Sequence, residues 1–215
     1  MRWSLPACAI FAIDAGALID FLPTMKKYFF SFALMLIATC GAAPAFAAFE
    51  CADVGEWLGK PCRHLAQTYR EGNNEMYLSG FSWHLPMTYT KEKRNELNEY
   101  AIGFGMGRTI EEPNGDTRSV FFVAFLESHK CVQWNLGYTW STYWGRRDLP
   151  QFGLGYVAAI VQRPDIFHGI PFPAALPMAS LRYKEAALAA TFIPNVGGGV
   201  NNGSVLYVFG RYTFK

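Results

Sequence analysis

The sequence predicts an all-β protein: an eight-stranded antiparallel transmembrane β-barrel preceded by a short N-terminal amphipathic helix. Three observations predict it. An export signal lies near the start of the chain. No later apolar run is long enough for a membrane-spanning helix. About eight segments of barrel-strand length, with period-two patterning, fill the rest.

The export signal begins at Met25. Lys26 and Lys27 form a positive start, Tyr28 to Thr39 is apolar, and Ala45-Phe46-Ala47 has the small-residue pattern of a cleavage site. Residues 25–47 are therefore read as a signal peptide, with the mature chain starting at Ala48. Residues 1–24 are read as an upstream extension. The alternatives are a genuine longer leader or a membrane anchor made of both apolar stretches, although Asp14 and Asp20 interrupt the first. Cys40 loosely fits a lipoprotein site, but Thr39 is a poor residue before it.

Composition agrees with the barrel. Charged residues are 17% of the chain, where about a quarter is usual for soluble domains. Aromatics reach 16%, and there are 20 glycines. A net charge of +2 gives no electrostatic basis for binding nucleic acid. After the signal peptide the longest apolar run is Val120 to Leu126, which suits a strand; in lipid such strands must close into a barrel to pair their backbone groups. Cys51, Cys62 and Cys131 match no metal motif. A Cys51–Cys62 disulfide suits an oxidising periplasm, but one continuous helix would hold the two about 16 Å apart. Pro61 could break such a helix, and the pairing stays open.

Residues 48–75 are expected to form the periplasmic N-terminal helix, with Trp57, Leu58, Leu65, Ala66 and Tyr69 as its apolar stripe. That stripe packs on a soluble core or lies along a membrane interface. Residues 76–215 form the barrel, with strands expected over 76–89, 99–110, 116–127, 131–144, 150–163, 174–183, 185–194 and 203–214. Pro113-Asn114-Gly115 marks a tight turn. The terminal Tyr212-Thr213-Phe214-Lys215 suits outer-membrane assembly machinery, with Lys215 a departure from a terminal aromatic.

Parity separates the faces. In the first strand Phe81, Trp83, Leu85, Met87 and Tyr89 face lipid and His84 faces inward. In the second, Phe104 and Met106 face out and Gly103, Gly105 and Gly107 face in. In the fourth, Trp134, Leu136, Tyr138 and Trp140 face out and Asn135, Gly137, Thr139 and Ser141 face in; in the fifth, Leu154 and Tyr156 face out and Gly153 and Gly155 in. The inward glycines, together with the apolar Val120–Leu126 segment, predict a roomy apolar interior for a lipid tail. The competing reading is that these glycines relieve crowding in a twisted wall.

Both ends of an even-stranded barrel lie in the periplasm, so odd strands run outward. His84, Glu127 and Ser128 then converge at the extracellular mouth. An imidazole, a carboxylate and a hydroxyl are the parts of an acyl-transfer site: a general base, a group to orient it, and a hydroxyl to attack or to position substrate. His64, His129 and His168 fall in the helix or loops as solvated residues. Pro177 and Pro194, near the outer ends of neighbouring strands, each remove a ladder donor and mark a lateral opening.

At these residues the sequence resembles the PagP family of outer-membrane lipid A palmitoyltransferases. The matching stretches are Phe81-Ser82-Trp83-His84, Tyr89 through Lys91-Glu92-Lys93, Gly103-Phe104-Gly105-Met106, Ala124-Phe125-Leu126-Glu127-Ser128, Gly137-Tyr138-Thr139-Trp140, Leu176-Pro177-Met178-Ala179-Ser180, Thr191-Phe192-Ile193-Pro194 and Asn201-Asn202-Gly203. The resemblance spans nearly all of the mature chain. It implies residence in the bacterial outer membrane and transfer of a palmitoyl, or somewhat shorter, chain from the sn-1 position of a phospholipid to lipid A, with no cofactor or metal. It maps the essential His onto His84 and an Asp-Ser pair onto Glu127-Ser128. The Lys of lipopolysaccharide recognition maps onto Lys93, and phospholipid entry onto Pro177 and Pro194. Thr139 stands where the family has a Gly flooring the acyl pocket, which implies a shorter acyl chain. The prolines of the family's second opening are replaced by Ser79 and the region near Ala101. The seventh loop carries extra residues, Val196 to Val200, and lacks the family's gating aromatic. The implied partners are the phospholipid donor, the lipid A acceptor and outer-membrane lipids, with the protein a monomer or weak homodimer.

Two other functions are consistent with parts of the pattern. A non-catalytic barrel with a structural or adhesion role needs neither inward glycines nor a His/acid/Ser cluster. A soluble lipocalin-like binder would present polar outer faces, which the Trp134, Leu136, Tyr138 and Trp140 stripe contradicts.

Overall fold

The computed structural model describes Cys51, residues 55–197 and residues 202–215. The signal-peptide reading and most of the seventh-loop insertion lie outside the described residues. The order of elements is α1 (Gly55–Glu71), β1 (Asn73–His84), α2 (Lys91–Glu96), β2 (Tyr100–Glu111), β3 (Thr117–Leu126), β4 (Val132–Trp144), β5 (Gln151–Gln162), β6 (Phe172–Tyr183), β7 (Ala186–Ile193) and β8 (Val205–Thr213). The eight strands form a closed antiparallel barrel in which β1 pairs with β8. No helix among the described residues is long and apolar enough to cross a membrane.

The chain divides into two compact units at Cys62. In the first, Cys51 and Cys62 form a disulfide with Cα atoms 5.6 Å apart. The long separation of a continuous helix does not arise, because α1 begins only at Gly55 and Pro61 sits inside it without ending it. In the second unit, the last turns of α1 meet the barrel through polar atoms. Arg118 Nη2 donates to Gln67 Oε1 at 2.7 Å, and Arg108 Nη2 donates to the Arg70 carbonyl at 3.3 Å. Of the apolar stripe, Leu65 and Tyr69 are exposed, as an interfacial helix requires. The Trp57 and Leu58 side chains lie outside those described.

Leu78, Trp83, Ile102, Phe104, Met106, Phe122, Leu136, Leu154, Tyr156 and Leu188 are exposed on the barrel wall, forming an apolar exterior. Strand β1 adds a feature that parity alone misses. Its register with both neighbours shifts between Ser79 and Phe81, at Gly80. The extra residue of the bulge flips the alternation. Tyr77 and His84, of opposite parity, are therefore both buried inside. Beyond His84 the ladder ends, since Pro86 has no donor to continue it. The chain turns at Leu85, whose carbonyl accepts from Thr88 and Tyr89. Tyr89, expected on the lipid face, thus folds back over the mouth, with its ring edge-on to His84 at 5.1 Å between centroids.

The interior has two storeys. The outer storey is mainly apolar: Ala101, Phe121, Val123, Phe125, Met178, Ala189 and Phe209 pack together, with Tyr77 at the lower edge and Gln133 and Thr191 as buried polar residues among them. The periplasmic storey is polar. Arg211 lies 3.8 Å from Glu75 and donates to the Tyr143 hydroxyl at 2.8 Å. Tyr77 donates to Glu75 at 2.6 Å, and the Arg182 guanidinium sits 3.8 Å above the Tyr143 ring while bonding Gln151 at 2.8 Å. Thr139, 1% exposed, pairs with Ser119 at the boundary between the storeys.

The inward glycines do not border open space. A Cβ on Gly103 would overlap Phe125 Cβ and the Ala124 carbonyl; one on Gly137 would come within 2.8 Å of Phe121 Cζ. These glycines let neighbouring strands approach closely. The crowding reading holds at them, and the cavity expected from their missing side chains is corrected. Gly155 is the sharpest case: its Cβ would overlap the Trp140 carbonyl oxygen and stand 2.8 Å from Ser141 Cα, whereas at Gly210 the nearest atom is 3.9 Å away. Gly155→Ala is expected to lower barrel stability by about 2–3 kcal/mol through overpacking, and Gly210→Ala to leave it within about 0.5 kcal/mol. Urea unfolding of the two proteins in one detergent checks the difference.

Candidate active site

Three segments build the extracellular mouth. His84 is the last residue of β1 and is 1% exposed. Glu127 and Ser128 open the tight loop after β3. Asn98 and Glu99 end the long loop between β1 and β2. Backbone hydrogen bonds join the three: Ser82 N donates to the Glu99 carbonyl and Asn98 N to the Ser128 carbonyl, both at 2.8 Å. The loop between β1 and β2 thus fixes the His-bearing strand against the Ser-bearing loop.

His84 Nε2 lies 3.0 Å from Ser128 Oγ, a hydrogen bond. On the opposite side of the ring, Nδ1 is buried and faces Glu99 Oε1 at 3.7 Å. The sequence places His84 and Ser128 together, and they meet. Glu127 is adjacent, but its carboxylate points elsewhere. Oε1 accepts from the backbone N–H groups of His129, at 2.9 Å, and Cys131, at 3.2 Å. Oε2 meets His129 Nδ1 at 3.0 Å and Arg163 Nη2 at 3.4 Å. Sequence reasoning misses Glu99 because nothing in its spacing links it to His84; the only signal is its place beside the outer end of a strand next to β1.

Around Glu127 a charged latch joins two outer loops. Arg163 donates to Asp165 at 2.7 Å, and His129 Nδ1 lies 3.5 Å from Asp165. His129 is therefore not the solvated bystander its loop position suggests. Hydrogen bonds to Asp165 and Glu127 raise its pKa to about 9. Burial opposes the charged form of Asp165, but His129 and Arg163 outweigh it and hold the carboxyl below its ordinary range. Ligand atoms of Glu127, His129 and Asp165 lie within 4.8 Å of one another, as a metal site would need; the Arg163 guanidinium already supplies a cation there. Among the other histidines, His64 is half-buried in α1 with its carbonyl accepting from Thr68, and His168 is exposed with φ at 58°.

The remaining sequence candidates lie away from this cluster. Lys93 sits in α2, on the loop over the mouth, exposed and paired with Glu96 at 2.9 Å. Pro177 and Pro194 are exposed on the outer half of the wall. Pairing of β6 with β7 starts only at Met178↔Thr191, so β6 from Phe172 to Pro177 has no ladder partner on that side among the described residues. Between β1 and β2 the register shifts after Ser79, whose Oγ donates to the Ala101 carbonyl, and pairing resumes at Phe81↔Tyr100.

A family model described as "Antimicrobial peptide resistance and lipid A acylation protein PagP" matches residues 64–211. The chain is 36% identical to the lipid A acyltransferase PagP of Bordetella parapertussis over 190 residues, covering 88% of this chain and all of that protein. It is 40% identical to the protein of that name from Legionella longbeachae over 163 residues, covering 74% and 69% of the two chains. It is 34% identical to the one from Legionella pneumophila over 189 residues, covering 87% and 98%.

The latch has a definite pH response. Because the folded-state pKa of His129 is raised, its proton stabilises the loops fully below the ordinary histidine value of about 6.5. That contribution is lost as pH rises through about 9. With His129 half-exposed, the effect is on the order of 1 kcal/mol or less. An NMR titration of the His129 ring should give a midpoint near 9 that falls in Asp165→Asn; a midpoint near 6.5 in the wild type would mean that the latch does not form.

Proposed function

The chain belongs to the PagP family of lipid A acylation proteins, and from that premise we propose that His84 and Ser128 are the centre of its transfer reaction. The protein is an outer-membrane acyltransferase that moves an acyl chain from a phospholipid to lipid A. The observation that carries the assignment is the 3.0 Å contact between His84 Nε2 and Ser128 Oγ, at the mouth of an apolar barrel storey. His84 Nε2 takes the proton of the attacking hydroxyl, whose oxygen then bonds to the ester carbonyl carbon of the phospholipid. The bond from that carbon to the glycerol oxygen breaks, and the leaving oxygen takes the proton back from the imidazolium. One ester replaces another, and the two lipids supply every atom exchanged. The resemblance points to the sn-1 ester as the donor.

The storeys suggest how chain length is read. Leu126 at the mouth and Ser119 beside Thr139 are seven residues apart on β3. At the usual rise and tilt this is a depth of about 18 Å, close to the roughly 15 Å of one leaflet's hydrocarbon. An acyl chain entering from the mouth replaces the mutual packing of Phe121, Phe125 and Phe209 with its own and stops where the polar storey begins, at Thr139. The edge of β6 from Phe172 to Pro177, which has no ladder partner toward β7 among the described residues, supports lateral entry of the phospholipid. Lys93, above the mouth, is suited to a lipid A phosphate once released from Glu96. Glu127 supports Ser128 by holding its loop. Cleavage after Ala47, insertion by outer-membrane assembly machinery acting on the terminal Tyr212–Lys215 segment, and a monomeric or weakly dimeric state complete the proposal.

Two outcomes test it, both read by mass analysis of lipid A from cells expressing the protein. His84→Ala and Ser128→Ala are each expected to lower acylation by about 10²-fold or more; acylation equal to the wild type in both would remove the assigned centre. The wild type is expected to add a chain shorter than palmitoyl, or to select palmitoyl weakly, and Thr139→Gly to shift addition toward longer chains. Strict palmitoyl addition by the wild type would contradict the role of Thr139.

A further inference from the structure

If His84 is the base of the proposed reaction, its second nitrogen must be provided for. An imidazole that accepts a proton at Nε2 carries one on Nδ1, and the cation it becomes needs a counter-charge in a buried site. In this protein the acid of the family's Asp-Ser pair does not fill that role. Glu127 directs Oε1 to two backbone N–H groups of its own loop and Oε2 to His129 and Arg163. The carboxylate facing the imidazole is Glu99, with Oε1 3.7 Å from Nδ1. Nδ1 is fully buried and otherwise lacks a hydrogen-bond partner among the described residues. The remaining contact described for the ring is the edge-on Tyr89.

We infer that Glu99 is the positioning residue of His84: it accepts the Nδ1 proton, fixes the tautomer whose Nε2 is open toward Ser128, and balances the imidazolium charge during transfer. Three features support this. The Glu99 backbone is anchored to β1 through Ser82, and its neighbour Asn98 is anchored to Ser128, so the carboxylate is tied to both reacting groups. Glu99 is 32% exposed and His84 is 1% exposed. The acid therefore keeps part of its hydration and avoids the full cost of a buried charge, while the ring is shielded. The gap is about 0.7 Å longer than a usual hydrogen bond, of the kind that closes in a substrate complex.

The test uses the full-length mature protein in detergent with phospholipid donor and lipid A acceptor, measuring kcat and KM across pH. Glu99→Gln is expected to lower kcat by about 10²-fold, to leave KM unchanged, and to move the acid limb of the kcat profile to lower pH as the imidazolium loses its counter-charge. Glu99→Asp should recover part of kcat and restore the limb, which a purely structural role would not do, and it keeps the test available if the glutamine protein folds poorly. Glu127→Gln should leave the acid limb where the wild type has it. The inference is overturned if Glu99→Gln keeps the wild-type kcat and profile, or if the limb moves in Glu127→Gln and not in Glu99→Gln. A fully active His84→Ala protein is a different failure: it removes the base itself, and with it the need for Glu99.

Discussion

A charged side chain on a membrane-spanning strand must point inward or be covered by another part of the protein. Lipid on the outer face offers an ion neither water nor partners. In this barrel Glu75, Arg182 and Arg211 are buried inside the wall near the periplasmic end of their strands, whereas Arg118, in register with the outward Trp140, is buried on the outer face beside α1. Each then needs partners: inside, Arg211 with Glu75 and Tyr143 and Arg182 with Gln151 and the Tyr143 ring; outside, Arg118 with Glu112 and Gln67. The inward network occupies the lower half of the barrel. What remains for the outer half is mainly apolar, with Gln133 and Thr191 as buried polar residues. The polar storey thereby fixes the depth of the hydrophobic interior and, on the proposed function, the end at which an acyl chain enters.

The chemistry proposed at the mouth follows from the same division. The apolar storey cannot host a proton-transfer site without partners for it, and at the rim the chain can supply them. There the strands end, and loop backbone is available to tie side chains together. The hydrogen bonds of Asn98 and of the Glu99 carbonyl hold His84 and Ser128 in register. The Glu127–His129–Arg163–Asp165 latch secures the loop that carries Ser128 to the loop after β5. An acyl chain lying in the apolar storey would bring its ester to this rim, beside His84, the proposed base.

Much of this is legible in the amino-acid sequence. Strand count, strand order, the lipid-facing stripe of β4 and the meeting of His84 with Ser128 all follow from parity and from the outward run of odd strands. What the sequence does not show has physical causes. Parity assumes an unbroken strand, and the bulge at Gly80 reverses it, so Tyr77 is not recognisable as a core residue. Tyr89 falls on the lipid face only if Pro86 continues the strand, whereas Pro86 ends the ladder. The polar storey has a signal that parity arguments about apolar residues pass over: an arginine in an otherwise apolar strand points inward, as Arg182 and Arg211 do, or is partnered by α1 from outside, as Arg108 and Arg118 are. Inward glycines suggest space, but a missing Cβ makes a cavity only when the neighbouring strand does not move into it, and beside Gly103, Gly137 and Gly155 it has. Glu99 and the true partners of Glu127 depend on side-chain direction within loops, which no periodicity encodes.

If the outer storey is an acyl-chain site ending at Thr139, with its reacting groups at the rim, a bound lipid should show both ends of it. The decisive measurement is a crystal structure of the protein with a non-transferable ether phospholipid. The expected result is one chain inside the barrel, its terminal methyl against Thr139 above the Glu75–Arg211–Tyr143 network, and its linkage oxygen beside His84 and Ser128. A structure with the lipid only on the outer wall, and with Phe121, Phe125 and Phe209 still packed on one another inside, would contradict it.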